Sequence, residues 1–152
     1  MVKIRLEGFA ALDRELAQFP KATGKSVLRR TLKSAALPIA TTANSLAPVG
    51  PTASYSKSFS YSTKLNKRQA SLHRKAFKND KQSVEGFVGT NDPAGVQQEF
   101  GNQNHGPQPA LRPAWDSQKE QTLDRIGKGL WDEIQKTAAR AARKTARLAA
   151  KG

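Results

Sequence analysis

The residue types that could do chemistry in this 152-residue chain are few and poorly grouped. His73 and His105 stand far apart, with no carboxylate at ligand spacing beside either, so neither a zinc nor an iron site is read. Glu85 and Glu99 are the nearest approach to an acid/base pair, and nothing around them marks a buried carboxyl. Neither Gly50-Pro51-Thr52 nor the loop after Gly101 has the glycine spacing and lysine of a phosphate-binding loop. The many serines never fall in a Gly-x-Ser-x-Gly elbow. There is no cysteine, which removes thiolate chemistry and disulfides and fits a reducing cytoplasm. Catalysis, a cofactor and a metal are therefore not expected.

What the chain does carry is positive charge: 26 Lys+Arg against 12 Asp+Glu, a formal +14. Between Glu15 and Asp80 there are twelve basic residues and no acid, and after Glu133 six more, again without an acid. Such a field favours an anionic partner, nucleic acid or an acidic protein surface. The candidate contacts fall in three groups: Lys21, Lys25, Arg29 and Lys33; Lys67, Arg68, Arg74, Lys75 and Lys78; and Arg140, Arg143 and Arg147. For the first group alone, a solvated helix face is the simpler reading. No helix-turn-helix, zinc finger or RNA-binding sheet motif accompanies them, so any nucleic-acid contact would be salt-sensitive and independent of sequence.

The elements that must position these groups follow from periodicity. Val2, Ile4 and Leu6 alternate with polar residues, the period of a half-buried strand. Residues 9–18 read as a short helix with Phe9, Leu12 and Leu16 on one side, and Pro20 opens a second. From Val27 to Leu46 the positions Leu28, Leu32, Ala35, Ile39, Ala43 and Leu46 make an amphipathic helix with Pro38 inside it as a kink. Residues 55–65 alternate aromatic and serine, a regular strand with one hydroxyl-bearing face suited to solvent or a neighbouring chain. Residues 64–82 read as a basic loop or hairpin tip, with strand ends near Leu72 and Phe77. Residues 83–90 read as a further strand, and 94–100 as a strand or one helical turn. Trp115, Leu123, Ile126, Leu130 and Ile134 mark a terminal helix, which 136–152 extends as a basic Ala/Arg/Lys segment with little to bury. No stretch approaches membrane-spanning length.

Between the last sheet element and the terminal helix lies a connector of Glu99, Phe100, Gly101, a polar loop, then Pro109, Leu111, Arg112 and Pro113. Gly101 and Gly106 supply turn freedom, and the prolines stiffen the arm from Gly106 to Arg112. Pro113 suits the first turn of a helix. Arg112 is expected to pair with an acid or a carbonyl, Glu99 being the intrachain candidate.

Val88-Gly89-Thr90, Glu99-Phe100-Gly101 and Gln108-Pro109-Ala110-Leu111-Arg112-Pro113-Ala114, preceded by Leu46-Ala47-Pro48-Val49-Gly50-Pro51-Thr52, form an ordered set. It resembles the HK97 gp10-like family of tailed-bacteriophage proteins, over roughly residues 5–135. Ala110 stands where an aromatic is common, and Ala53-Ser54-Tyr55 replaces the family's Gly-x-Leu. The resemblance implies a virion structural protein of the neck, made in the bacterial host cytoplasm. It would form a homo-oligomeric ring of six that joins or caps the tail at the head–tail junction, as a tail terminator or completion protein. Its partners would be itself, other neck proteins and the tail tube, with genomic DNA passing through the lumen and no membrane. The alternative is a sequence-independent architectural DNA-binding protein. The expected fold is α+β: one domain over 1–135, an antiparallel sheet of 2–6, 55–65, 83–90 and 94–100, covered on one face by the long kinked helix and the C-terminal helix.

Overall fold

The computed structural model describes residues 9–77 and 84–150. The expected strand at 2–6 and Lys78 lie outside the described residues. The elements are α1 (Ala10–Ala17), α2 (Lys21–Leu46), β1 (Phe59–Ser62), α3 (Lys67–Ala76), β2 (Phe87–Thr90), α4 (Gly95–Phe100) and α5 (Leu111–Ala149). The class is α+β with helix dominating, since among the described residues the sheet holds two antiparallel strands.

The frame is an antiparallel pair of long helices, α2 and α5. Ile39, Ala43 and Ala47 at the end of α2 meet Ala110 and Ala114 at the start of α5, together with Tyr55 and Phe59. At the other end Val27 meets Leu130 and Ile134, with Leu12 of α1 closing the cluster. Between them the seam is built from small residues: Thr31 and Ala35 on α2, Thr122 on α5. Small side chains let two helix backbones approach closely, at the cost of apolar volume. The largest side chain buried completely is Val27.

This seam corrects the expected core face. Ala35, Ile39 and Ala43 are buried, whereas Leu28 and Leu32 are half-buried at the seam's edge and Leu46 is exposed. Leu28 turns toward α1 instead. On α5, Leu130 and Ile134 face inward as expected, but Trp115 and Leu123 are exposed. Period alone placed α2 and α5 correctly and rotated their inner faces toward the large residues; close packing prefers the small ones. Pro38 sits inside a helix that continues to Leu46; its ring removes the donor that the Ser34 carbonyl would otherwise receive.

The sheet is shorter than expected. Tyr55–Lys57 forms a 3-10 turn, so the strand begins at Phe59 and ends at Ser62. Phe59 pairs with Thr90, Ser60 with Gly89, Tyr61 with Val88 and Ser62 with Phe87. Phe59 and Val88 face the helix frame. On the outer side of β1, the Asn44 side chain accepts from Phe59 N at 2.9 Å and donates to Phe59 O at 3.0 Å. An amide on α2 thus takes the place of a neighbouring strand at Phe59 and covers that end of an edge that would otherwise invite pairing. Residues 94–100 contribute a helix, α4, to the fold and no strand.

Residues 67–76 overturn the loop-or-hairpin reading. They form α3, opened by a capping box in which Asn66 Oδ1 accepts from Gln69 N and Gln69 Oε1 accepts from Asn66 N. None of its residues is buried. It rests on the second face of the sheet through His73, whose ring meets Phe87 edge-on at 5.4 Å and lies 3.5 Å from the Glu85 carboxylate.

Two predictions follow from the frame. Thr31 Oγ1 and Thr122 Oγ1 are buried and find no hydrogen-bond partner. Replacing a buried, unpaired hydroxyl by a methyl removes a desolvation cost of about 1–3 kcal/mol, so Thr31→Val or Thr122→Val leaves denaturant stability unchanged or raises it. A loss above about 1 kcal/mol would disprove the packing described here. The second concerns Arg30, whose Nε donates to Glu133 Oε2 at 2.7 Å across the seam. That hydrogen bond, opposed by desolvation, holds the Glu133 carboxyl below its ordinary value, with the charges of Arg30, Lys136 and Arg140 adding. A lowered native value contributes stability above the unfolded pKa, lost as the pH falls through the native one. Glu133→Gln therefore costs up to about 1 kcal/mol at pH 7, the pair being partly solvated. The difference from the parent protein closes as the pH is taken below about 4.

Candidate assembly end and basic arm

The connector is organised around one carboxylate. α5 starts without a capping side chain of its own, because its flanking residue is Ala110. Glu99, on α4, supplies what is missing: its Oε1 accepts from Ala110 N at 2.7 Å and from Leu111 N at 2.5 Å. An anion there meets the positive end of the helix dipole and satisfies two donors that the helix cannot. Arg112, the partner expected for Glu99, is exposed and has no acidic partner among the described residues. The stiff arm ends at Ala110, so Leu111 and Arg112 already belong to the helix, with Pro113 in its first turn as expected.

The loop between α4 and α5 is closed on itself. Gln108 N donates to Gln98 O at 2.7 Å, Gly101 N to Gln97 O at 2.7 Å and Asn102 N to His105 O at 2.9 Å. Asn102 Oδ1 accepts from Asn104 N and His105 N. Gly101 has φ 77° and ψ 174°, a region that only glycine occupies readily. A β-carbon there would also lie 2.9 Å from the Pro107 nitrogen. Gly106 needs no such freedom, since it has ordinary φ and open space around it. Beside the capping carboxylate, burial pushes the Tyr55 phenol above its usual range, with Glu99 and Asp92 adding to the effect.

This end of the molecule exposes large apolar side chains. Val96 and Phe100, four apart on α4, are 70% and 71% exposed, and Val49, just beyond α2, is 75% exposed. Leu46, at the end of α2, and Trp115, in the first turns of α5, are about half exposed. Sequence reasoning singled out Phe100 as a connector residue; the others are legible only once the helix ends are brought together.

The serine face of β1 stays exposed at Ser60 and Ser62 and forms one wall of an open groove. Ser60 and Ser62 line a groove of about 590 Å³ with Asn66, Gln69, His73 and Phe87, roofed in part by α3. Lys67, Arg68, Arg74 and Lys75 are all exposed on that helix. Lys21, Arg29 and Lys33 are exposed along α2, while Lys25 is half-buried. Arg30, which is in none of the three expected groups, is a basic residue of α2 that clasps α5.

The last part of α5 is of another kind. Every residue from 138 to 150 is exposed, and the helix nevertheless runs unbroken to Ala149. Arg140, Arg143 and Arg147 lie here with Lys136 and Lys144. Because Val27 packs at Leu130 and Ile134, the start of α2 and this arm share one end of the frame, opposite the connector.

Among the described residues no group of three or more His, Cys, Asp or Glu could hold a metal ion, and no helix is long and apolar enough to cross a membrane. No family model, curated protein or solved structure matches this chain.

The cap makes a prediction opposite to simple charge pairing. Glu99→Ala leaves two backbone donors unpaired and costs about 1–2 kcal/mol, whereas Arg112→Ala stays within about 0.5 kcal/mol of the parent. Gly101→Ala costs about 1–3 kcal/mol through strain alone. Urea unfolding followed by circular dichroism measures all three. A larger loss at Arg112 than at Glu99 would overturn the assignment of the cap.

Proposed function

We propose that this chain is a virion structural protein of the neck or tail-completion region of a tailed phage, assembling with copies of itself into a six-fold ring at the head–tail junction. The observation that carries the reading is the exposure of large apolar side chains on the segments of the connector end: Leu46, Val49, Val96, Phe100 and Trp115. Five of the exposed large apolar side chains belong to the segments that meet at this end, and exposed apolar surface of that kind marks a place where another protein can dock. The same end carries the motifs by which the chain resembles the HK97 gp10-like family, Glu99-Phe100-Gly101 and Pro109-Ala110-Leu111-Arg112-Pro113. An architectural DNA binder that works alone has no use for an apolar end.

Assembly is assigned to the connector end rather than to β1, where Asn44 already bonds both outward backbone groups of Phe59. The double variant Val96→Ser, Phe100→Ser changes only exposed positions and keeps the parent's circular dichroism spectrum. It is expected to lower ring formation at least tenfold by light scattering and negative-stain microscopy in the presence of tail-tube ends. In a phage deleted for this protein, filled heads and tails are expected that fail to join, or tails of abnormal length. Joined virions in normal yield would refute the neck assignment.

A further inference from the structure

The arm of α5 beyond Ile134 presents a stripe of cations. At 3.6 residues per turn, Lys136, Arg140, Arg143 and Arg147 fall within roughly 60° of the helix surface, with Lys144 beside them. Upstream on the same helix, from Leu111 to Glu133, acids and bases are mixed: Asp116, Glu120, Asp124, Asp132 and Glu133 against Arg112, Lys119, Arg125 and Lys128. Past Glu133 there is no acid. The arm's other faces are almost all alanine, and the single large apolar group is Leu148, 62% exposed.

We propose that this arm is a binding site for the phosphate backbone of duplex nucleic acid, without preference for base sequence. Three observations select that partner. A helix that docks into a protein groove needs apolar anchors at turn spacing, and one that lies on a membrane needs an apolar face; this arm has neither. Its alanine faces make it slender, so the cations can come within contact distance of a groove about 12 Å wide. Neighbouring cations three and four residues apart repel one another along the stripe, and a dense polyanion removes that repulsion. No asparagine or glutamine lies beyond Gln135 to read adenine, and no recognition motif fixes the arginines on a base edge, so the arm is assigned to the phosphates. The proposal does not rest on the neck reading, since it requires only the arm and a duplex.

The test uses the whole chain and a random-sequence duplex labelled with a fluorophore, read by anisotropy over a range of salt. Because a +14 protein will bind DNA through net charge alone, two variants with equal charge loss are compared. One is Arg140→Gln, Arg143→Gln, Lys144→Gln, Arg147→Gln. The other is Lys67→Gln, Arg68→Gln, Arg74→Gln, Lys75→Gln on α3, where every position is exposed. Glutamine keeps helix propensity close to that of arginine and lysine, and circular dichroism confirms that both variants remain folded. The arm variant is expected to lose at least tenfold in affinity at low salt. Its log K against log salt becomes shallower by about 0.9 for each phosphate contact removed, hence by roughly three to four. The α3 variant is expected to lose less than threefold. Equal losses in the two variants would overturn the proposal in favour of a diffuse field. Displacement of the duplex by polyglutamate at equal charge concentration would overturn it in favour of an acidic protein partner.

Discussion

A single carboxylate sets where the longest element of this protein begins. α5 runs for 39 residues, about 58 Å at 1.5 Å per residue, and its first residues have no capping side chain. Glu99 takes Ala110 N and Leu111 N from outside the helix, and the rest is arranged to let it do so. α4 must hold Glu99 at that point, so the loop must return within a few residues. The return demands a backbone turn at Gly101 that a β-carbon would block. Gly95, at the start of α4, is under a similar demand: a β-carbon would lie 2.6 Å from Thr90 Cγ2. Thr90 cannot turn away freely, because its hydroxyl is bonded to Ser58 Oγ and accepts from Asp92 N. Ala110 and Ala114 are then delivered to Ile39 and Ala43 in the correct turn of the helix, and the whole seam down to Leu130 follows in register.

That seam explains both the strength and the thinness of the fold. Alanine, threonine and glycine allow two long helices to lie close over many turns, and dispersion summed over such a length is substantial. Yet few large side chains leave water, so the margin is narrow and individual polar contacts matter. Arg30 with Glu133, and Asn44 with the Phe59 backbone, each fix one place where a second element meets α2. α3 has no buried residue and is held chiefly by His73 on Phe87 and by its own capping box. It belongs to the low-stability end of the molecule, where opening costs little.

The helices were legible in the sequence because their periods persist. Residues 9–18, the break at Pro20, the end of α2 near Pro48 and the onset of α5 around Pro113 all lie where spacing and proline placed them. Strand extent was not legible. The alternation from Tyr55 to Leu65 continues beyond Phe59–Ser62, but backbone pairing stops where β2 stops, and alternation carries no information about the partner's length. α3 was hidden by its charge: residues 67–76 have no apolar stripe, although Asn66 and Gln69 spelled out a capping box. Arg112 and Glu99 drew attention as an acid and a base in one connector. The acid's real partners are two backbone N–H groups, and a sequence shows no sign of which backbone donors a fold leaves unpaired. The apolar end is likewise invisible in one dimension, because Val49, Val96 and Trp115 come from three separate segments.

The two ends of the frame also differ in what keeps them ordered. At the connector end, order comes from within the chain: a cap, a closed loop and a small apolar cluster. At the other end the helix continues past its last buried residue, Ile134, into the exposed run from 138 to 150. A segment of that length would be marginal as a free peptide, since most of the cost of a helix lies in its first turn. Here the nucleus is already formed by the anchored part of α5, and each further residue adds only a propagation step, which alanine and arginine favour. Repulsion along the basic stripe works against those steps, and the C-terminal end of the dipole, which attracts cations, offsets part of it. A polyanion that neutralises the stripe would remove the repulsion and stabilise the arm's helix. If phosphate binds the arm as proposed, order in the arm and its occupancy are two readings of one equilibrium, as linkage requires of any ligand that binds the ordered state better.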